Sequence, residues 1–147
     1  MSIVLHGVAA GKGIAIGHAH LITRGTTEVP QYDIDPDKLD AEVARFDNAI
    51  KATRKELEQL RGAIPENAPT ELGAFISLHL MLLTDATLSR EPIDILREQK
   101  INAEWALKQQ SDKLAAQFDS IDDDYLRERK QDMLQVVRRI HNNLVGQ

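Results

Sequence analysis

Cysteine is absent from this 147-residue sequence, so disulfides, thiolate metal sites and cysteine nucleophiles are excluded. That absence also fits a reducing compartment. The N-terminus lacks a cationic segment followed by a long apolar run, so we expect no signal peptide. Acidic residues outnumber basic ones by 23 to 18, and this balance favours a basic partner over nucleic acid. We therefore expect a cytoplasmic protein that binds neither nucleic acid nor membrane.

The most apolar stretch, residues 75 to 85, reads Phe-Ile-Ser-Leu-His-Leu-Met-Leu-Leu-Thr-Asp. It is too short to span a membrane, and at helical spacing its apolar side chains cover most of the circumference. Such a helix is either buried on several sides or keeps one face for a partner. His79 lies in its middle, and spacing leaves two interpretations open. It is either a core histidine with one satisfied ring nitrogen or a contact residue on an exposed apolar face.

Long amphipathic helices are predicted around this central one. Asp35 and Pro36 favour a helix start, and Gly62 a helix end. Between them apolar positions recur at spacings of four and three, which indicates packing in a bundle or hairpin. These positions are Leu39, Val43, Phe46, Ile50, Thr53, Leu57 and Leu60.

Three further helices are predicted after the central one. Thr70 is expected to cap the central helix, which runs to Leu83, and residues 84 to 87 interrupt it. A third helix covers residues 88 to 100, and Asn102 caps a fourth. Asp122 begins the last helix and Gly146 ends it. The anchors of the fourth and last helices are Trp105, Leu114, Phe118, Leu126, Met133, Val137, Ile140 and Leu144.

Residues 3 to 22 differ from the rest because two short β-type runs flank a glycine-rich turn. Two strands alone are marginal in water, and no other strong strand follows. We therefore expect residues 1–22 to belong to a subdomain whose main body is absent, and residues 23–147 to form the helical subdomain. The overall fold class is mainly α.

Isolated chemical motifs are weak in this sequence. Three residues separate Gly7 from the Gly11–Lys12 pair, whereas a phosphate-binding P-loop has four. His18 and His20 have no third ligand signalled nearby. The acidic run from Asp119 to Asp124 suits the start of a helix better than a calcium loop. Paired Glu-x-x-His motifs of a helical metal enzyme are lacking.

Three segments together resemble one family. Residues 7 to 17 look like the N-terminus of the phosphoenolpyruvate-dependent phosphotransferases. Residues 78 to 85 resemble the "HxMLLxD" helix of bacterial enzyme I, the phosphoenolpyruvate–protein phosphotransferase, and residues 122 to 129 are similar to its "DDxYLxER" segment. The motifs come in family order, and residues 138 to 146 resemble the end of the family's last helix.

The resemblance implies an N-terminal β segment from an incomplete α/β phosphohistidine subdomain, followed by a helical-hairpin bundle that docks the phosphocarrier protein HPr. The family's phosphorylated histidine sits in a Gly-Gly-x-Thr-Ser-His motif that this sequence lacks. The barrel that binds phosphoenolpyruvate and Mg²⁺, and through which the family dimerises, is absent too. The resemblance therefore implies a monomeric docking piece with no cofactor of its own, inactive alone.

By motif match, the resemblance places the HPr-docking residues on the central, fourth and last helices. They are Glu71, His79, Met81, Leu82, Asp85, Leu88, Lys108, Ser111, Phe118, Leu126 and Arg129. This sequence departs from the family where Ala86 and Thr87 replace acidic residues, so partner cations would lose counter-charges there.

Two alternatives stay open. One is the nitrogen-branch enzyme I, which uses a different HPr-like carrier. The sequence shows no GAF-like domain before the motifs, and that absence favours the sugar branch. The other is a non-catalytic helical interaction module of a bacterial regulator. A Gly-Gly-x-Thr-Ser-His segment downstream would separate a phosphotransferase from such a module.

Overall fold

The computed structural model describes residues 29–146, and these fold mainly as helices. A 3-10 turn, Pro36–Lys38, leads into the first α-helix. The α-helices are α1 (Leu39–Gly62), α2 (Thr70–Thr84), α3 (Ala86–Ser89), α4 (Glu91–Gln99), α5 (Ala103–Asp119) and α6 (Asp124–Val145). The predicted helical bundle is thus confirmed. The predicted β segment, the glycine-rich turn and His6, His18 and His20 lie outside the described residues.

The first helix follows the predicted pattern along most of its length. Its buried positions include Phe46, Ile50 and Leu57, which share one face at the helical spacing of three and four. The pattern was wrong at the end of the helix, because Leu60 is 43% exposed. Leu60 instead lines an open surface pocket together with Arg139 of α6.

The central helix begins and ends differently from the prediction. Pro69, not Thr70, is the residue that precedes α2, and Thr70 is its first helical residue. Asp85 ends α2 with an extended backbone, and its Oδ1 accepts from the Thr87 backbone N–H at 2.9 Å. This side-chain cap starts the four-residue α3. The predicted third helix is therefore two helices, α3 and α4, which meet at Arg90.

The last helix has a cap at each end. The Asp123 carboxylate accepts from the backbone N–H groups of Tyr125 and Leu126, so α6 begins at Asp124 rather than at Asp122. Gly146 ends it as predicted, with a positive φ of 80° that glycine adopts without steric cost.

The core lies where α6 packs against α1, α2 and α5, with α4 covering α1 and α5. Its buried hydrophobic residues come from every α-helix. They are Phe46, Ala49, Ile50, Leu57, Ile76, Leu83, Leu88, Leu96, Ile101, Ala103, Ala106, Leu107, Met133, Val136, Ile140 and Leu144. This arrangement packs α2 against α1 and α6, and no helix of the described residues covers the side of α2 that bears Met81.

A buried polar cluster joins both ends of the described chain, and we call Glu42, Arg45, Asn102 and Glu104 the root network. Asn102 makes no capping bond at the start of α5, contrary to the prediction. Its amide instead donates to the carbonyl oxygen of Pro30 at 2.8 Å and to Glu104 at 2.7 Å. Glu42 supplies the missing cap, since its Oε2 accepts from the Ala103 backbone N–H at 3.2 Å.

Arg45 closes the root network. Its guanidinium pairs with Glu42 and Glu104, and its Nη1 donates to the Leu144 carbonyl oxygen at 3.0 Å. Burial alone would raise the pKa of Glu42, but hydrogen bonds from Arg45 and Ala103 outweigh it and hold that pKa below its ordinary value. The root network thus holds the start of the described chain, near Pro30, and the end of α6, near Leu144, at the same end of the bundle.

Candidate protein interface

The uncovered side of α2 presents an unusual set of apolar side chains to solvent. Met81 is 70% exposed, and Phe75 is also exposed. On the opposite side of the same helix, Ile76 and Leu83 are buried in the core. The helix is therefore apolar on both faces and buries only one, as the sequence pattern allowed. Exposed apolar side chains that lie together on one helix face mark an interaction surface.

A cleft of about 610 Å³ lies between α2 and the first half of α6. The lining residues from α2 share one face of that helix, and the lining residues from α6 are mostly charged. The lining residues are Glu71, Ala74, Phe75, Leu78, Glu128, Arg129, Gln131 and Asp132. We call this the α2–α6 cleft, and Met81 and Leu82 follow it along α2.

The charges in the α2–α6 cleft are mainly negative. Glu71, Glu128 and Asp132 supply three carboxylates, and Arg129 supplies one guanidinium. Beyond the end of α2, the exposed Asp85 adds another carboxylate. Hydrogen bonds from the backbone and hydroxyl of Thr87 lower the pKa of Asp85, so it stays ionised at neutral pH. An apolar surface with an acidic rim suits a basic protein partner.

The structure decides between the two interpretations of His79. Its side chain is buried, with 2% of its surface exposed. Its Nε2 lies 3.4 Å from Oδ1 of Asp132, and its ring centroid lies 4.2 Å from that of Phe75. His79 is therefore a core histidine with one paired ring nitrogen, and Phe75 covers it on the cleft side.

Arg129 is held between two neighbours on α6. Its Nη1 lies 3.3 Å from Oδ2 of Asp132, and its guanidinium carbon lies 5.0 Å from the ring centroid of Tyr125. Sequence reasoning missed both Asp132 and Tyr125. Their positions three residues after and four before Arg129 put all three on one helix face, so spacing could have found them.

The predicted docking residues divide into four groups. Glu71 and Arg129 both line the α2–α6 cleft, and Met81, Leu82 and Asp85 continue from it. Leu88 and Ser111 are buried like His79, so these three side chains are not exposed for direct contact. Phe118 and Leu126 are half-buried.

Lys108 lies elsewhere. Together with Ser111 it lines a second groove, of about 250 Å³, between α5 and α6. Its Nζ pairs with Asp112 at 2.6 Å and lies 5.4 Å from the Trp105 ring centroid. The structure therefore does not bring Lys108 together with the cleft residues.

Residues 29–146 show neither a metal-binding cluster nor a single membrane-spanning helix. In that part of the chain no group of three or more histidine, cysteine, aspartate or glutamate side chains is placed to hold a metal ion. No single helix there is long and apolar enough to cross a membrane. The segments Thr70–Thr84 and Ala86–Gln99 are long and apolar enough only when taken together, and they are bent by 58° relative to each other.

Comparison with known proteins gives one consistent family. The family described as "PEP-utilising enzyme, N-terminal" matches residues 6–129. A phosphoenolpyruvate-protein phosphotransferase of Cupriavidus necator is 48% identical over 146 residues, which cover 99% of this chain and 25% of that protein. The protein of the same name from Bacillus subtilis is 34% identical, over 97% of this chain and 25% of that protein. The chain thus spans about a quarter of the length of these relatives.

Solved structures agree with this assignment. A solution NMR structure of enzyme I is 27% identical and superposes with a TM-score of 0.75, covering 84% of this chain and 50% of that one. The "N-terminal domain of Enzyme 1 - Nitrogen" is 28% identical with a TM-score of 0.72, covering 81% of this chain and 49% of that one. The chain therefore belongs to the family of PEP-utilising enzymes, represented here by the N-terminal region of phosphoenolpyruvate–protein phosphotransferase.

Proposed function

We propose that this chain docks the phosphocarrier protein HPr as part of a phosphoenolpyruvate–protein phosphotransferase. A phosphoryl group would pass from a phosphohistidine elsewhere in the enzyme to the docked HPr during sugar uptake. The observation that carries this proposal is the exposed apolar face of α2 beside an acidic cleft. The proposed contact residues at this surface are Glu71, Phe75, Leu78, Met81, Leu82, Asp85 and Arg129. Phe118 and Leu126, which are half-buried, are included on the motif match alone.

The proposed contact residues contribute to binding in different ways, according to their chemistry. Met81 is unbranched and flexible, so it can adapt to a partner's apolar side chains and anchor the contact. Glu71 and Asp85 lie on the acidic rim, where charge mainly accelerates association with a basic partner. Positioning is most of what a protein contributes to phosphoryl transfer between two bound groups.

The chemistry itself belongs to other parts of the enzyme in this proposal. The sequence has no Gly-Gly-x-Thr-Ser-His motif. We assign the Mg²⁺ requirement that the family resemblance implies to the full-length enzyme. We expect this stretch alone to be a cytoplasmic monomer that takes no phosphate from phosphoenolpyruvate. Intact mass measurement after incubation with phosphoenolpyruvate checks whether the chain has gained a phosphate.

An NMR titration with HPr from the same organism tests the proposal. Amide and methyl signals of residues 71 to 85 and 125 to 132 should shift with increasing HPr. Signals of Leu134 and Val137, which line the separate α5–α6 groove, serve as the internal control and should not move. Shifts confined to that groove, or no shifts at millimolar HPr, would contradict the proposal.

A second candidate is the nitrogen-branch enzyme I with its HPr-like carrier. The structural likeness to the "N-terminal domain of Enzyme 1 - Nitrogen" favours it, as does the presence of Ala86 and Thr87 beyond Asp85. Parallel titrations with the two carriers separate the branches, because the cognate carrier should bind more tightly. A non-catalytic module would bind neither carrier.

A further inference from the structure

A line of three polar side chains runs from the core to the wall of the α2–α6 cleft. His79 is buried, Asp132 is buried beside it, and Arg129 reaches the cleft with 26% of its side chain exposed. The two oxygens of Asp132 are divided between its neighbours. Oδ1 lies 3.4 Å from His79 Nε2, and Oδ2 lies 3.3 Å from Arg129 Nη1.

We propose that His79 is a positioning residue, which fixes Asp132 and through it holds Arg129 in place at the cleft wall. This inference rests on the proposed docking function, because Arg129 is one of its contact residues. His79 itself has too little exposed surface to touch a partner. Its contribution to docking is therefore indirect and depends on Arg129.

The chemistry of Asp132 explains why His79 is needed. An ionised carboxylate only accepts hydrogen bonds, so His79 must donate through Nε2. A buried carboxylate oxygen that loses its donor is costly. Without His79, Asp132 can recover a donor only by rotating toward Arg129 or water, and either movement shifts the guanidinium. A leucine would fill the same core space but could not prevent that rotation.

Arg129 has few other restraints within the described residues. Its Nε is buried and has no hydrogen-bond partner there. Asp132 on one side and the Tyr125 ring on the other are the contacts that fix the guanidinium. A side chain held by so few contacts depends strongly on each of them. The placement of Arg129 should therefore respond to a change at His79.

A double-mutant cycle on HPr binding tests this coupling. His79→Phe keeps a buried ring but removes the donor to Asp132. It should weaken HPr binding about tenfold when Arg129 is present and less than about twofold in an Arg129→Met background. His79→Gln retains an N–H donor and should recover most of the affinity. Equal weakening in both backgrounds would show that His79 acts without Arg129, and would overturn the proposal.

A measurement on the free protein keeps this inference separate from the docking proposal. The Nε–H signal of Arg129 should exchange slowly with water in the unmodified chain, because the atom is buried. His79→Phe should shift that signal and speed its exchange. If His79→Phe does not fold, His79→Leu, which fills the same core space and also removes the donor to Asp132, should give the same change. An unchanged signal in a folded variant overturns the positioning role even if HPr does not bind.

Discussion

Two regions of this helical bundle handle polar and apolar groups in opposite ways. At the chain-entry end, the root network buries charged groups and gives each a partner. Along α2, Met81 and Phe75 leave apolar surface exposed. A buried charge tolerates few changes because each partner compensates another. An exposed methionine contributes little to folding, so the proposed docking role assigns it to binding.

The comparison teaches which residues serve stability and which serve binding. Substitutions in the core or the root network should change the free energy of unfolding and leave binding of the folded fraction intact. Substitutions on the α2 face should do the reverse.

Leu83→Asp should have the largest effect. Leu83 is fully buried, and an unpaired carboxylate in its place would carry a large desolvation cost. We expect a loss of more than about 4 kcal/mol, enough to unfold most small domains. Circular dichroism should show lost helix at 25 °C. A folded Leu83→Asp protein would show that α2 does not pack through this side.

Arg45→Met should come next. It removes the cation shared by Glu42 and Glu104, whose side chains are 8% and 4% exposed. The full cost of breaking a buried ion pair is about 3 to 5 kcal/mol, and we expect the lower end because Arg45 is itself 35% exposed. Urea denaturation measures this value.

A matched control for Arg45→Met is available in the surface pair of Arg97 and Asp40. Their Nη1 and Oδ1 atoms lie 3.0 Å apart, and both side chains are largely exposed. Arg97→Met should cost under about 1 kcal/mol. Equal costs for the two variants would mean that the root network is no more important than a surface ion pair.

Acid should weaken the root network through Glu42. Its pKa is lowered in the folded chain, so its stabilising contribution is present above its ordinary value of 4.5 and is lost as pH falls through the folded pKa. The stability difference between the unmodified chain and Glu42→Gln should therefore be constant near neutral pH and shrink below pH 4.5. Urea midpoints between pH 7 and 3 give this profile. A difference that grows with acid would reverse the assigned sign.

Sequence patterns predicted the helices well and their contacts less well. The spacing of Phe46, Ile50 and Leu57 predicted the buried face of α1, because helical period alone decides it. Local chemistry also predicted Gly146 as a helix end. Thr70 is the first helical residue and not the cap, because Pro69 precedes the helix. Asn102 stands at the predicted position before α5, but the distant Glu42 makes the capping bond.

The long-range polar contacts were beyond sequence reasoning because they join residues far apart in the chain. Arg45 and Leu144 are 99 positions apart, and His79 and Asp132 are 53 apart. No local period encodes such pairs. Family motifs placed Glu71, Met81 and Arg129 on one surface, but could not show that His79 lies beneath it. That distinction depends on how α6 packs against α2.

Removing residues 1–22 should have a small effect on the helical unit. The root network uses Pro30 and Tyr32 but nothing earlier among its described contacts. We therefore expect a cooperative thermal melt with helical circular dichroism for residues 23–147. Removing residues 1–32 is the matched comparison. It should lower the melting temperature because Asn102 loses its hydrogen bonds with Pro30 and Tyr32. Loss of cooperativity already on removing residues 1–22 would show that they share the helical core.

Met81→Asp tests the central claim, that the exposed face of α2 serves binding and not folding. The same substitution that unfolds the chain at Leu83 should change stability at Met81 by under about 0.5 kcal/mol. It should weaken HPr binding by about 2 kcal/mol or more, as loss of an interface anchor does. Thermal melts and calorimetric titration of this one variant give both values. A folded Met81→Asp protein that binds HPr normally would contradict the account.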